Sequence, residues 1–216
     1  MRILLALLLT ASCPLAASVI YTDNFDSGAQ LTWDSVRGDW TAGGGVYYAT
    51  APGNNPVTAA LLPYDLTDFT ATVDISGIGD GGLWLRSNAA ATAGVVLVMH
   101  SHDIYWHIIS DPSSGPWTVY NPAAHSDSAM TMTVTAIGSV LSAYIDGSAT
   151  PVTTLDLSVS GIPGYDFSSG RFGFYSNSGI SFDNLEIEAA DVPEPASLAL
   201  AGAGLALACV WRRRRA

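Results

Sequence analysis

Residues 130–145 read Met-Thr-Met-Thr-Val-Thr-Ala-Ile-Gly-Ser-Val-Leu-Ser-Ala-Tyr-Ile, and they decide the fold class. Met130, Met132, Val134 and Ala136 alternate with Thr131, Thr133 and Thr135. Successive side chains of an extended chain point to opposite faces, so this segment has one apolar and one polar side, the pattern of a strand lying on a core. Gly138-Ser139 interrupts the pattern, and Leu141, Ala143 and Ile145 then resume the apolar face. A two-residue link that begins with glycine predicts a hairpin closed by a type II′ turn, because glycine takes the positive φ of the first central position without strain. Asp146-Gly147 is a second turn signal at the end of the returning strand.

The same two-residue period recurs on both sides of this hairpin. Phe69, Ala71, Val73 and Ile75 alternate with Thr70, Thr72 and Asp74, after which Asp80-Gly81-Gly82 turns the chain. The runs Val95 to Met99 and Ile104 to Ile109 flank Ser101-His102-Asp103 and predict another hairpin. Strands are also expected over residues 19–25, 46–50, 82–87, 171–175 and 180–187. In the last of these, Ile180 and Phe182 have even parity while Leu185 and Ile187 have odd parity. An extra residue near Asp183-Asn184 is needed if all four face the core, which predicts a bulge there. No part of residues 19–190 sustains a 3.6-residue apolar period. About a dozen short strands within one domain's length predict an all-β, two-sheet antiparallel jelly-roll sandwich.

Both ends of the chain read as targeting segments. Residues 1–18, MRILLALLLTASCPLAAS, carry one arginine, an apolar core and small residues from Ala16 to Ser18, which predicts a secretory signal peptide cleaved after Ala17 or Ser18. Residues 191–216 hold Val192-Pro193-Glu194-Pro195, an apolar stretch from Ala196 to Trp211, and the four arginines Arg212, Arg213, Arg214 and Arg215. A helix over 196–211 would be about 24 Å long, enough for a single short transmembrane span if the arginines snorkel. The arginines would keep the C-terminus in the cytoplasm and leave the body, residues 19–190, outside. The two cysteines, Cys13 and Cys209, both lie in these segments, so the body is expected to fold without disulfides.

The body is strongly acidic. The chain has nineteen Asp and Glu residues, all but Asp191 and Glu194 in the body, where the only Lys or Arg residues are Arg37, Arg86 and Arg171. This balance excludes a nucleic-acid partner, whose phosphates require a basic footprint. It suits solubility outside the cell.

Two resemblances follow. The tail resembles the PEP-CTERM sorting signal of Gram-negative bacteria in its tripeptide, apolar helix and basic end. The resemblance implies an exosortase that recognises the tripeptide at the inner membrane, after signal peptidase and the secretion machinery have acted. It implies an inner-membrane-anchored precursor and a mature protein in the cell envelope or extracellular matrix, often alongside extracellular polysaccharide. In the body, Asp23-Asn24-Phe25-Asp26-Ser27-Gly28, Trp33, Gly38-Asp39-Trp40 and Gly44-Gly45-Val46 resemble the opening of laminin-G-like, concanavalin-A-like sandwiches. Leu66 to Phe69, Gly82 to Arg86, Tyr144 to Gly147 and Ser181 to Leu185 follow in the order of that family. This second likeness supports the fold more than any activity.

Chemistry is harder to find. His100, His102 and His107 lie within eight residues, but no fourth zinc ligand accompanies them, so no metal site is expected from them. Asp23 to Asp26 and Asp80-Gly81 can offer calcium carboxylate and carbonyl oxygens, although turn formation is the commoner reason for such aspartates; no other cofactor is implied. Glycoside cleavage needs two flanking acids. Glu186 and Glu188 are the body's glutamates, share one face of the last strand, and lack the spacing of glucanases with this fold. No Gly-x-Ser-x-Gly elbow is present, and the body has no thiol. The sequence therefore predicts a protein without catalytic residues. Exposed aromatic rings stack on sugar faces, which makes Trp84, Tyr105 and Trp117, with Arg86, the candidate carbohydrate-binding residues. The parity of strand 82–87 puts Leu83 and Leu85 on the core face and Trp84 with Arg86 on the opposite face, open to a ligand. The alternatives are a glycan-active hydrolase on the same fold and a structural surface protein without ligand.

Overall fold

The computed structural model describes residues 18–53, 57–111, 118–160 and 165–190. Several expectations lie outside the described residues: the signal peptide, the sorting motif Val192, Pro193, Glu194 and Pro195, the helix 196–211, the orienting charges Arg212, Arg213, Arg214 and Arg215, and the candidate Trp117. The strands in chain order are β1 Val19–Asp23, β2 Asp34–Arg37, β3 Trp40–Gly43, β4 Val46–Ala49, β5 Ala59–Leu61, β6 Phe69–Ser76, β7 Asp80–Ser87, β8 Gly94–His100, β9 Asp103–Ile109, β10 Tyr120–Ala124, β11 Ala129–Ile137, β12 Val140–Ile145, β13 Thr153–Asp156, β14 Arg171–Ser176 and β15 Ser181–Ala189. One helical turn, α1, spans Leu157–Ser160.

The strands form two antiparallel sheets. The eight-stranded sheet runs β13-β12-β11-β6-β15-β4-β3, with β1 also paired to β15. The seven-stranded sheet runs β10-β9-β8-β7-β14-β5-β2. Their inner faces meet in one apolar core, because each strand places every second side chain there. Phe69, Val73, Met132, Val134, Leu83 and Leu97 are all fully buried in it. At one side of the core the aromatics stack directly: Phe174 and Phe182 lie 4.1 Å apart at 20°, and Trp33 lies 4.9 Å from Phe174.

The segment that decides the fold class behaves as its pattern dictates. Ile137 pairs with Val140 across Gly138-Ser139. Gly138 has a φ of 55° and Ser139 is not among the residues with positive φ, as a type II′ turn requires. At Asp146-Gly147 both φ values are positive and Ser148 N donates to Ile145 O at 3.0 Å, so a tight turn closes that end as well. The expected bulge is present: the register of β15 against β6 shifts between Asp183 and Glu186, with Asn184 at a φ of 48°. The hairpin of β8 and β9 forms in continuous register from Gly94↔Ile109 to Met99↔Ile104.

The two sheets are joined side to side at β10 and β13. Trp106 Nε1 donates to Thr153 Oγ1 at 3.1 Å, Thr153 Oγ1 donates to Asn121 O at 2.6 Å, and Asn121 Nδ2 donates to Thr154 O at 2.5 Å. Among the described residues no helix is long and apolar enough to cross a membrane.

Candidate functional site

The outer face of the seven-stranded sheet is where sequence parity placed a ligand surface, and it is only partly open. Leu83 and Leu85 do face the core, and Trp84 faces the other way. Yet Trp84 has no exposure at all. It sits in a second apolar layer with Val57, Ala59, Leu61, Val96 and Val98. The covering segments are held by Arg37, whose Nε donates to Val57 O at 2.5 Å while Nη1 and Nη2 donate to Ala90 O and Ala91 O at 2.9 and 2.7 Å. Trp84 Nε1 finds Thr58 O at 3.5 Å. Trp84 is thus a buried packing residue, and the expectation that it meets a sugar is corrected.

Arg86 departs further from expectation. The register of β14 against β7 shifts between Arg171 and Gly173, so β7 carries an extra residue there, and Arg86 takes a φ of 52°. This bulge breaks the alternation, and Arg86 does not share the face of Trp84. Its guanidinium reaches the other sheet: Nη2 is 3.1 Å from Asp68 Oδ1 and 3.4 Å from Ala136 O. Nη1 donates to Phe167 O at 3.0 Å and also to Ser168 O. The side chain is fully buried, and burial lowers its pKa while Asp68 opposes that shift. Arg86 is a clamp between the sheets and is withdrawn from the carbohydrate candidates. Tyr165 adds to the clamp by donating to Arg86 O at 2.7 Å.

The partly exposed side chains at the margin of this face, Asp80 and Tyr105, lie at the end where β7 begins. Tyr175, Gly82, Val98 and Tyr105 form one row across β14, β7, β8 and β9, because each is the direct partner of the next. Asp80 starts β7 beside this row. Its Oδ1 accepts from Tyr175 Oη at 2.9 Å and its Oδ2 accepts from Asn177 Nδ2 at 2.8 Å. Asp80 N donates to Ser178 Oγ at 2.6 Å, and Asp80 O accepts from the backbone N–H groups of Asn177 and Ser178. Tyr105 is half-buried, with its ring edge-on to His107 at 5.1 Å. Gly82 and Val98, between the two tyrosines, are buried, and the β8 backbone at Leu97 packs against Gly82 too closely for a side chain there.

Electrostatics follow from burial and from Asp80. The Tyr175 phenol is pushed above its ordinary range by burial, and by the Asp80 charge and hydrogen bond. Tyr105 is raised by burial, then by Asp80 and Asp103. Both phenols therefore keep their protons and act as donors at neutral pH. His107 is held below its ordinary value by burial, opposed by its hydrogen bond to Thr118 O at 2.8 Å and by Asp80. The neutral ring is the working form. An oriented carboxylate, an amide, a phenol and two ring edges on one patch suit a ligand rich in hydroxyl groups. Both oxygens of Asp80 are already occupied by donors, which suits a fixed acceptor better than a proton shuttle.

The other sequence candidates separate. Glu186 is exposed on the outer side of β15 and Glu188 is half-buried beside β1. His100 and His102 are exposed near the turn between β8 and β9, while His107 lies further along β9. Among the described residues no group of three or more His, Cys, Asp or Glu side chains is placed to hold a metal ion. The aspartates of the expected calcium turns serve the chain itself. Asp23 is buried and accepts from Tyr21 Oη at 2.6 Å, Phe25 N at 2.9 Å and Gln30 N at 2.7 Å. Asn177 and Tyr175 were missed by the sequence reading, since no local pattern ties them to Asp80 nearly a hundred residues earlier.

Comparison with known proteins adds two findings. Residues 191–215, which include Arg212, Arg213, Arg214 and Arg215, match the PEP-CTERM protein-sorting motif, and this implies an exported protein processed by an exosortase. No curated protein matches the sequence. Among solved structures the fold is similar to the carbohydrate-binding module CBM66 from Bacillus subtilis, at 20% identity and a TM-score of 0.59, over 73% of this chain and 95% of that one. It is similar to the VIP36 exoplasmic/lumenal domain in its Ca2+/Man3GlcNAc-bound form, at 11% identity and a TM-score of 0.51, over 76% of this chain and 86% of that one. The catalytic domain of an endo-1,3-beta-glucanase (laminarinase) from Thermotoga petrophila is similar at 10% identity and a TM-score of 0.51, over 81% and 98%. The body is a jelly-roll sandwich of a kind that binding modules, lectins and glycosyl hydrolases share.

Proposed function

We propose that the body is a non-enzymatic carbohydrate-binding sandwich that works outside the cell, on extracellular polysaccharide. One observation carries the reading: the partly exposed Asp80, Asn177 and Tyr105 gather at the start of β7, with Asn177 bonded to Asp80. In this reading Tyr105 is the stacking ring, Asp80 and Asn177 bond sugar hydroxyls, and Trp117 is a further aromatic candidate from the sequence. The sorting tail delivers the protein, with Val192, Pro193, Glu194 and Pro195 as the processed motif and Arg212, Arg213, Arg214 and Arg215 as the orienting charges. The fold similarity to a carbohydrate-binding module and a lectin domain supports this reading, at identities that speak for the fold alone. The test is a glycan array probed with the body, followed by titration calorimetry on any hit with the Tyr105→Ala and Asp80→Asn variants. Binding that both variants weaken supports the site. Glycan turnover by the unaltered body, or binding indifferent to both changes, refutes it.

A further inference from the structure

Among the described residues, the large apolar side chains left most exposed are Val19, Ile20, Val119, Ile137, Val140 and Val159, the last at 82%. Five of the six, all but Val119, gather at one end of the sandwich. Ile137 and Val140 flank the tip of the β11–β12 hairpin. The turn α1 that carries Val159 is tied to that tip, since Leu157 N donates to Ser139 O at 2.8 Å. Val19 pairs with Glu188 in β15. The same end is where the body hands over to the tail: Ala190 N donates to Asp68 O at 3.1 Å, and Asp68 Oδ1 accepts from Gly138 N at 2.9 Å. Asp68 thus sits between the exit of the chain and the apolar hairpin tip.

The length of chain beyond this point limits what can cover the patch. Residues 191–195 separate Ala190 from the apolar run that starts at Ala196. Five fully extended residues reach at most about 18 Å. A bilayer's polar zone is roughly 5–8 Å deep on each side of its hydrocarbon core, so the reach is short. The body's basic residues are committed elsewhere: Arg37 to backbone carbonyls, Arg86 to Asp68, and Arg171 to Asp34. Any lipid contact at this end is therefore apolar in character, and Asp156 and Glu188 nearby oppose anionic headgroups.

We propose that, while the tail is inserted, this end of the sandwich docks into the lipid headgroup layer through Ile137, Val140 and Val159. The inference rests on the anchored-precursor reading. The patch around Asp80 lies at the opposite end of β7, about 23 Å along the strand, and so faces away from the membrane. The contact is too small to hold the body once the tail is cut, because surface apolar groups without basic support bind a bilayer only marginally. Docking thus orients the precursor without preventing its release.

The test uses the full chain with Cys13→Ser, reconstituted in phosphatidylethanolamine–phosphatidylglycerol vesicles containing headgroup-level spin-labelled lipid. A fluorophore is placed singly at Val159→Cys or His102→Cys, each with Cys209→Ser, or on native Cys209 with a spin label in the acyl chain. Val159 and His102 are both exposed, so neither change disturbs the core. The expected result is loss of most emission at 159 and full emission at 102. Full emission at 159 with quenching at 209 overturns the docking while leaving the anchor standing. Equal quenching at 159 and 102 also overturns it. Full emission at 209 removes the anchor and the inference with it.

Discussion

The outer faces of the two sheets are built differently. On the eight-stranded sheet β6 and β11 alternate buried and half-exposed positions, with Thr70, Thr72, Thr131 and Thr133 on the wet side. Thr72 and Thr133 hydroxyls meet at 3.0 Å across that face. On the seven-stranded sheet β7 and β8 are buried on both sides, from Gly81 to Ser87 and from Gly94 to Met99. The lesson is that period-two parity reports which face a side chain takes, not whether that face meets water. A covered face reads as a continuous apolar run, and Val95-Val96-Leu97-Val98-Met99 is such a run.

The sharpest way to break this contrast is a pair of truncations. Trp84→Ala should destabilise the body by roughly 3–5 kcal/mol through the cavity it leaves, while Thr133→Ala should stay within about 0.5 kcal/mol. Denaturant melts of both variants check this, and similar midpoints would mean that the second apolar layer is not closed. Arg86→Ala comes next. Asp68 is partly exposed, so the loss should be nearer to about 2–3 kcal/mol than the full cost of breaking a buried pair. A melt unaffected by the change would show that the clamp contributes nothing.

Smaller effects test the open end of the covered face. Tyr105→Ala should weaken glycan binding by about 1–3 kcal/mol with the melt nearly unchanged, because the ring is half-exposed. A pH series probes His107, whose ordinary pKa of 6.5 is lowered in the folded state chiefly by burial. Below about 6.5 the unfolded chain takes a proton that the folded chain refuses, so stability falls as pH drops through that value toward the lower folded one. His107→Gln should flatten that part of the stability–pH curve, and an unchanged slope would refute the assignment. The smallest effect is none: with both cysteines in the targeting segments, reducing agent should leave the melting temperature of residues 19–190 where it is.

Much of the fold was legible because its signals are local. The Gly138-Ser139 turn, the parity change at Asp183-Asn184 and the β8–β9 hairpin each depend on neighbours in the chain. The bulge at Arg86 was not legible, since nothing in Leu83-Trp84-Leu85-Arg86 breaks the alternation; the shift arises from pairing with β14. Short strands such as β2, β5 and β13 carry too few residues to show a period. Of the candidate site, Tyr105 could be named from sequence because it is an aromatic within a run that reads as a strand. Its partnership with Asp80, Tyr175 and Asn177 could not, because pairing across β14, β7, β8 and β9 is a property of the whole sheet.

The place of β15 has a mechanical consequence. It is the strand that continues into the tail, and it lies inside its sheet, paired with β6 along one edge and with β1 and β4 along the other. The ladder hydrogen bonds run across the strands. Tension applied at the C-terminal end of the body therefore pulls along β15 and loads both ladders in shear, so that many bonds share the load at once instead of opening one after another. Of the strands, the one next to the tail is held along both edges against being drawn out.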